Sequence, residues 1–272
     1  MASAVPNRIR VFLQRVAGVL IAACGLGSAA MPACAEMIDE IQVYTDDINK
    51  PGEFGLELHV NTTPKGRSIP HYPGEITPRH GLRFTPEFSY GLTRELEAGL
   101  YLPFARDSLG VTRFAGPKFR LKWLPLRPEE GDQGWFVGAN LEYGLVAAAF
   151  EQSSKSLELR PILGYRGKDW LLATNPILGW DLAGPDRDGK PDFSPSAKVA
   201  RNLASGIALG LEYYAGLGKI NNILPHVEQS HTLYFALDYD RKPWVFNVGI
   251  GRGLTGATDR WTLKTIIEIP FD

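Results

Sequence analysis

The stretch Trp261–Phe271 alternates residue by residue. Trp261, Leu263, Thr265, Ile267, Ile269 and Phe271 share one face; Thr262, Lys264, Ile266, Glu268 and Pro270 share the other. Successive side chains of a strand point to opposite faces, so this is a strand with one oily side and one mostly polar side. A strand of that kind, closing on an aromatic, suits a barrel wall with acyl chains outside and water inside. The rhythm recurs along the chain, and the expected fold is all-β: a transmembrane antiparallel β-barrel of about 12 strands.

Residues 1–35 read as a secretory signal peptide. Arg8, Arg10 and Arg15 supply a positive start, Val16–Ala23 an apolar stretch, and Ala33-Cys34-Ala35 a small-residue cleavage site before Glu36. The apolar stretch is too short for a spanning helix, which needs about 20 such residues. Ile21-Ala22-Ala23-Cys24 also fits the loose pattern for lipidation at Cys24, but the downstream site and the barrel-like body favour ordinary cleavage. Cys24 and Cys34 are the chain's only cysteines. The mature chain therefore has none, which excludes a disulfide framework, a thiol nucleophile and a cysteine metal site. Its 26 basic and 30 acidic residues give a charge of −4 and no nucleic-acid footprint. The expected location is the bacterial outer membrane, after export. Residues 36–52 form an acidic periplasmic N-terminal segment and 53–272 the barrel.

Twelve strands follow from the alternation: Glu53–Asn61, Gly81–Tyr90, Glu95–Pro103, Gly116–Leu124, Trp135–Leu145, Ser156–Arg166, Asp169–Asp181, Phe193–Leu203, Gly206–Gly216, Ser230–Asp240, Pro243–Gly251 and Arg260–Phe271. Pro176 and Pro195 interrupt the seventh and eighth, because proline has no N–H for a ladder. Connections alternate between short (Gly91–Arg94, Gly167–Lys168, Ala204–Ser205, Arg241–Lys242) and long (Thr62–His80, Phe104–Ala115, Val146–Lys155, Leu182–Asp192, Leu217–Gln229, Arg252–Asp259). Short periplasmic turns and longer external loops are the habit of such barrels. Only Pro125–Gly134 is long where a short turn is expected. A soluble β-sandwich alternates too, with its oily face turned inward. Ring residues near strand ends (Trp123, Trp135, Trp170, Trp180, Trp244, Trp261) favour the membrane reading, since they would form interfacial girdles.

The polar faces carry the candidate pore lining: Glu57, Arg83, Glu87, Glu97, Lys118, Arg120, Lys122, Glu142, Glu158, Arg160, Glu212, Asp238, Lys264 and Glu268. Charged walls select solutes if the lumen is open; in a narrow barrel the same charges pair and close it. Both outcomes fit the near balance of signs. The expected function is passive passage of small molecules, with a non-conducting structural or adhesive barrel as the rival.

Other motifs carry less. Asp186, Asp188, Gly189 and Asp192 resemble part of a calcium loop but lack its distal glutamate, and an exposed hairpin uses the same residues. Ser230 and His231 are neighbours on a strand and point to opposite faces, so they do not serve each other as nucleophile and base. The remaining histidines (His59, His71, His80, His226) show no pairing at metal-site spacing. No enzyme activity, catalytic residue, metal or cofactor is expected. Expected partners are outer-membrane lipid, the barrel-assembly machinery through the C-terminal strand, and an unidentified small solute. Within Glu36–Asn49, Ile38, Ile41, Val43 and Tyr44 interrupt the acids, which suits a tail that folds up into or under the barrel.

Tyr90-Gly91-Leu92-Thr93-Arg94-Glu95-Leu96-Glu97-Ala98-Gly99-Leu100 resembles a hairpin repeated in the bacterial outer-membrane family named for the meta-pathway of phenol degradation, with Ala98 in place of the usual hydrophobe. The resemblance implies a β-barrel with a transport role toward aromatic or other hydrophobic compounds. It assigns no functional residue.

Overall fold

The computed structural model describes residues 40–129 and 131–269; the signal peptide, Cys24 and Phe271 lie outside them. Sixteen strands follow in order: β1 (Phe54–Lys65), β2 (Leu82–Gly91), β3 (Leu96–Tyr101), β4 (Phe104–Arg106), β5 (Thr112–Phe114), β6 (Lys118–Leu126), β7 (Gly134–Leu145), β8 (Lys155–Arg166), β9 (Trp170–Asp181), β10 (Asp192–Ala204), β11 (Ile207–Gly216), β12 (Gly218–Lys219), β13 (Asn222–Ile223), β14 (Ser230–Arg241), β15 (Trp244–Gly253) and β16 (Trp261–Glu268). Twelve of them, β1–β3, β6–β11 and β14–β16, make the wall of a closed antiparallel barrel. Each pairs with its neighbours in sequence, and β1 closes the ring by pairing with both β2 and β16. All twelve are strands read from the alternation.

The four short strands were not legible there, because two or three residues show no period. β4 pairs with Leu82–Phe84 of β2, and so carries the third wall strand past the break at Leu102-Pro103. β12 and β13 form a small hairpin in the connection before β14. The two proline-bearing segments, Trp170–Asp181 and Asp192–Ala204, are full strands with their prolines in place.

The direction of the faces is settled by burial. Along β6, Lys118, Arg120, Lys122 and Leu124 are buried while Phe119, Leu121 and Trp123 are exposed, the reverse of a water-soluble sheet. Trp135, 68% exposed, stands on the same outer surface. The tryptophans fall near strand ends, with Trp123, Trp135, Trp170 and Trp244 at the short-turn end and Trp180 and Trp261 at the other.

Inside, the polar lining is interrupted by an apolar collar of Leu124, Phe136, Ile162 and Ala173. Gly164 makes room for it. A Cβ there would lie 2.1 Å from the Phe136 ring and 2.3 Å from the Leu172 carbonyl oxygen. Gly164→Ala is therefore expected to destabilise the barrel by about 1–3 kcal/mol, as overpacked sites do, measured as a lower urea midpoint for loss of heat-modifiable mobility.

The long β1–β2 connection is clasped on itself. Arg67 donates to both carboxylate oxygens of Glu75 (Nη1 at 2.8 Å, Nη2 at 2.6 Å), and the His71 backbone N–H donates to the same group. The Arg67 backbone N–H reaches Asp259 of the β15–β16 connection at 2.9 Å. Burial opposes ionisation of Glu75, but the Arg67 and His71 donors outweigh it and hold the carboxyl below its ordinary value. A lowered folded-state pKa gives stability that is present above the unfolded value and lost as pH falls through the folded one. Acidification through the carboxylate range should therefore release this loop, removing about 1 kcal/mol of local protection. Hydrogen exchange corrected for intrinsic rates checks this. Protection at His71–Glu75 that is unchanged by acid, or by Glu75→Gln, would refute it.

Candidate functional site: a lumen occupied by the chain's own N-terminal segment

Residues 40–50 lie inside the barrel and touch opposite walls. Lys50 and Asn49 enter beside Gly91 and Glu97, at the short-turn end. A Cβ on Gly91 would sit 2.1 Å from the Lys50 carbonyl oxygen, so the close passage requires glycine. From there the segment rises as far as Glu40, which faces Arg160 at 3.6 Å. The sequence reading left this tail on the periplasmic side, folded into or under the barrel; its described part is within.

Tyr44 is the centre of the arrangement and is 3% exposed. The side-chain amide of Asn175 on β9 clasps its backbone: Tyr44 N–H donates to Oδ1 at 2.7 Å, and Nδ2 donates to the Tyr44 carbonyl at 3.2 Å. Its hydroxyl hydrogen-bonds the Tyr101 hydroxyl at 2.5 Å. Three cations surround its ring, with Arg160 at 4.6 Å, Lys122 at 4.9 Å and Arg120 at 5.7 Å from the centroid. Each such contact contributes about 0.5–2 kcal/mol where water is excluded.

The rest of the segment is held by charge and by oil. Lys264 Nζ donates to the Ile41 carbonyl at 3.0 Å, Arg160 to that of Gln42 at 3.3 Å and Lys122 to that of Asp47 at 3.1 Å. Arg166 takes the Asp46 carboxylate with two donors at 2.5 and 2.6 Å. The Asn49 backbone N–H donates to Glu97 at 2.7 Å. Val43 and Tyr44 pack into the apolar collar, with Ile48, Leu171 and Tyr214 against it.

All fourteen charged residues singled out from the sequence project from the inner side of the wall, and the structure gathers most of them into ion-pair groups. Arg120 joins Glu87 (2.8 Å) to Glu97 (2.6 Å), with Lys122 3.6 Å from Glu97. Glu212 contacts Lys264, Lys198 at 3.2 Å and the Tyr214 hydroxyl at 2.7 Å, while Lys198 also reaches Asp238 at 2.8 Å. Arg160 Nε donates to Glu158 at 2.8 Å, and Asn140 to Glu142 at 2.9 Å. Arg83 and Lys118 are buried on the same inner face. Glu57 lies near His59, and Glu268 sits at the rim, 3.7 Å from Lys242.

Residues that sequence spacing passed over also emerge. Glu57, His59 and Glu87 each offer one ligand atom, all within 4.8 Å of one another. Spacing along the chain hides this, because Glu87 arrives from the neighbouring strand. His59 Nε2 is hydrogen-bonded to Glu87 at 3.0 Å and lies 3.7 Å from Glu57, so the imidazole stands between two carboxylates. Asn175 carried no signal at all, for its partner is 131 residues away. In the loop resembling part of a calcium site, Lys219 meets Asp192 (2.9 Å), Asp181 (3.6 Å) and Asp188 (3.7 Å), so an ammonium stands among the carboxylates. His231 bonds Tyr213 and Gln229 rather than Ser230.

No family model matches the chain, and no curated protein matches it. Solved structures do. An outer-membrane channel of the COG4313 group from Pseudomonas putida F1 superposes with a TM-score of 0.59 at 12% identity, over 85% of this chain and 100% of that one. The NanC porin superposes with a TM-score of 0.53 at 11% identity, over 81% and 100%. At these identities the likeness is one of fold, the closed antiparallel barrel of outer-membrane channels and porins.

Proposed function

We propose that this protein is an outer-membrane channel for passive passage of small molecules, held shut by its own segment Glu40–Lys50. The observation that carries this reading is the segment itself. It follows the lumen, and five cations from three wall strands (Arg120 and Lys122 of β6, Arg160 and Arg166 of β8, Lys264 of β16) hold it through carbonyls, carboxylates and one aromatic ring. A segment bound mainly by charge-assisted contacts leaves a polar, charged passage behind when it moves, of the kind that selects solutes. The fold it shares with a protein described as an outer-membrane channel and with a porin supports the same reading. The fourteen inward charges are its lining, with Lys118, Arg120 and Lys122 forming a basic stripe on β6. The resemblance of Tyr90–Leu100 to the phenol meta-pathway hairpin adds aromatic or other hydrophobic compounds as the candidate solutes.

The filled lumen also favours one rival, a closed barrel that acts through its external loops. Single-channel recording of the refolded mature protein and of Tyr44→Ala separates the two. Removing the ring and its hydroxyl loses roughly 3 kcal/mol of segment binding, from three cation–π contacts and one hydrogen bond. The ratio of closed to open molecules then falls about a hundredfold. Frequent discrete steps in the variant are expected. Silence in both forms favours the closed barrel.

A further inference from the structure

Three prolines stand in one row across adjacent wall strands. Pro195 of β10 pairs directly with Pro176 of β9. The β8–β9 register is the same at Leu159↔Leu178 and at Leu163↔Thr174, which puts Pro161 opposite Pro176; between those two pairs the ladder is unpaired. Two opposed prolines have no N–H to offer each other's carbonyls. Within a bilayer an unsatisfied carbonyl is expensive, which is why wall strands normally pair without gaps. Their sequence neighbours Arg160, Ile162, Asn175 and Ser196 are buried on the inner side, so all three pyrrolidine rings face the lipid.

Directly behind this gap sits the segment. Asn175, next to Pro176, clasps the Tyr44 backbone; Arg160, next to Pro161, holds the Gln42 carbonyl and covers the Tyr44 ring; Val43 packs in one cluster with Ile162 and Ala173. The stretch of wall that lacks its own ladder is thus braced from inside by the part of the chain that fills the lumen.

We propose that β8 and β9 form a seam through which apolar small molecules pass sideways from the lumen into the bilayer once the segment withdraws. The proposal rests on the channel reading for the segment's mobility and for entry into the lumen. Chemistry sets the class of solute. The inner approach runs over Ile162, Ala173, Leu124 and Phe136, and the outer mouth opens on acyl chains, where a charged solute is strongly disfavoured. Charged solutes keep to the axis; apolar ones have a shorter way out.

The test staples the seam. Pro161→Cys with Pro176→Cys places two thiols at directly opposed positions, within disulfide reach. A second variant, Pro161→Val with Pro176→Val, returns the missing N–H donors without a cross-link. Gram-negative host cells with an intact lipopolysaccharide leaflet are exposed to N-phenyl-1-naphthylamine, which fluoresces on reaching phospholipid, and the same proteins are recorded in planar bilayers. Expected is uptake by wild type above cells lacking the protein, slower uptake in the valine variant, and loss of the excess in the oxidised staple, all at unchanged axial conductance. Reduction should recover it only to the level of the valine variant, because the reduced cysteines restore the same N–H donors. Uptake that ignores the staple and the valines, or no uptake above background by wild type, overturns the seam whatever the conductance. Staple-sensitive uptake without conductance in any form overturns the axial channel and leaves the seam standing.

Discussion

A chain lacking Glu40–Asn49 should conduct in nearly every refolded molecule, where the intact protein opens rarely. The deletion removes every lumen contact described for the segment at once: the Asn175 clasp, the three cations on Tyr44, the Arg166–Asp46 pair and the carbonyl contacts to Lys264, Arg160 and Lys122. The wall does not need the segment to close, since β1 pairs with β2 and β16 through its own backbone. Planar-bilayer recording of the deletion form checks this, with heat-modifiable mobility as the control for folding. Steps should appear with a reversal potential under a salt gradient that shifts when Lys118, Arg120 and Lys122 are neutralised. A folded deletion form that stays silent would remove the segment as the closing element.

Arg120→Ala should lower the stability of the barrel by about 3–5 kcal/mol, the range for breaking a buried ion pair from one side. Arg120 lies between Glu87 and Glu97, and all three side chains are 3% exposed. Without the guanidinium, two buried carboxylates lose the donor they share, leaving Glu87 with His59 at 3.0 Å and Glu97 with Lys122 at 3.6 Å, while the Tyr44 and Tyr101 rings each lose one cation. The urea midpoint in detergent reads the loss. Arg120→Ala combined with Glu97→Gln should recover part of it, because neighbouring charges couple by about 0.5–3 kcal/mol. An unchanged midpoint in the single variant would show that the pair network carries no stability.

Much of the wall was legible in the chain because a strand's faces repeat every second residue. β6 displays this most cleanly, with Lys118, Arg120 and Lys122 on one side and Phe119, Leu121 and Trp123 on the other. What alternation does not encode is which face meets water; tryptophans near strand ends supplied that, and burial agrees. The occupied lumen was only half legible. Ile41, Val43 and Tyr44 among acids hinted at a segment with something to bury, but its partners Asn175, Tyr101, Arg160 and Lys264 come from four strands far apart in sequence. Pro176 and Pro195 read as interruptions because one strand was viewed at a time. Their meaning is in the register, where they face each other and Pro161 completes the row.

The six indoles and the buried phenols divide between the two sides of the wall. Trp123, Trp135, Trp170, Trp180, Trp244 and Trp261 all stand on the outer surface, while Tyr44, Tyr101 and Tyr234 are within. The protein therefore carries two separate optical reporters. Indole emission, and its quenching by brominated acyl chains, follows insertion into the membrane and is blind to events in the lumen. The short Tyr44–Tyr101 contact adds a lumen contribution to the ultraviolet resonance Raman bands of tyrosine, read as the difference from Tyr44→Phe, so without any label the protein reports entry into the bilayer and movement of the segment by separate chromophores.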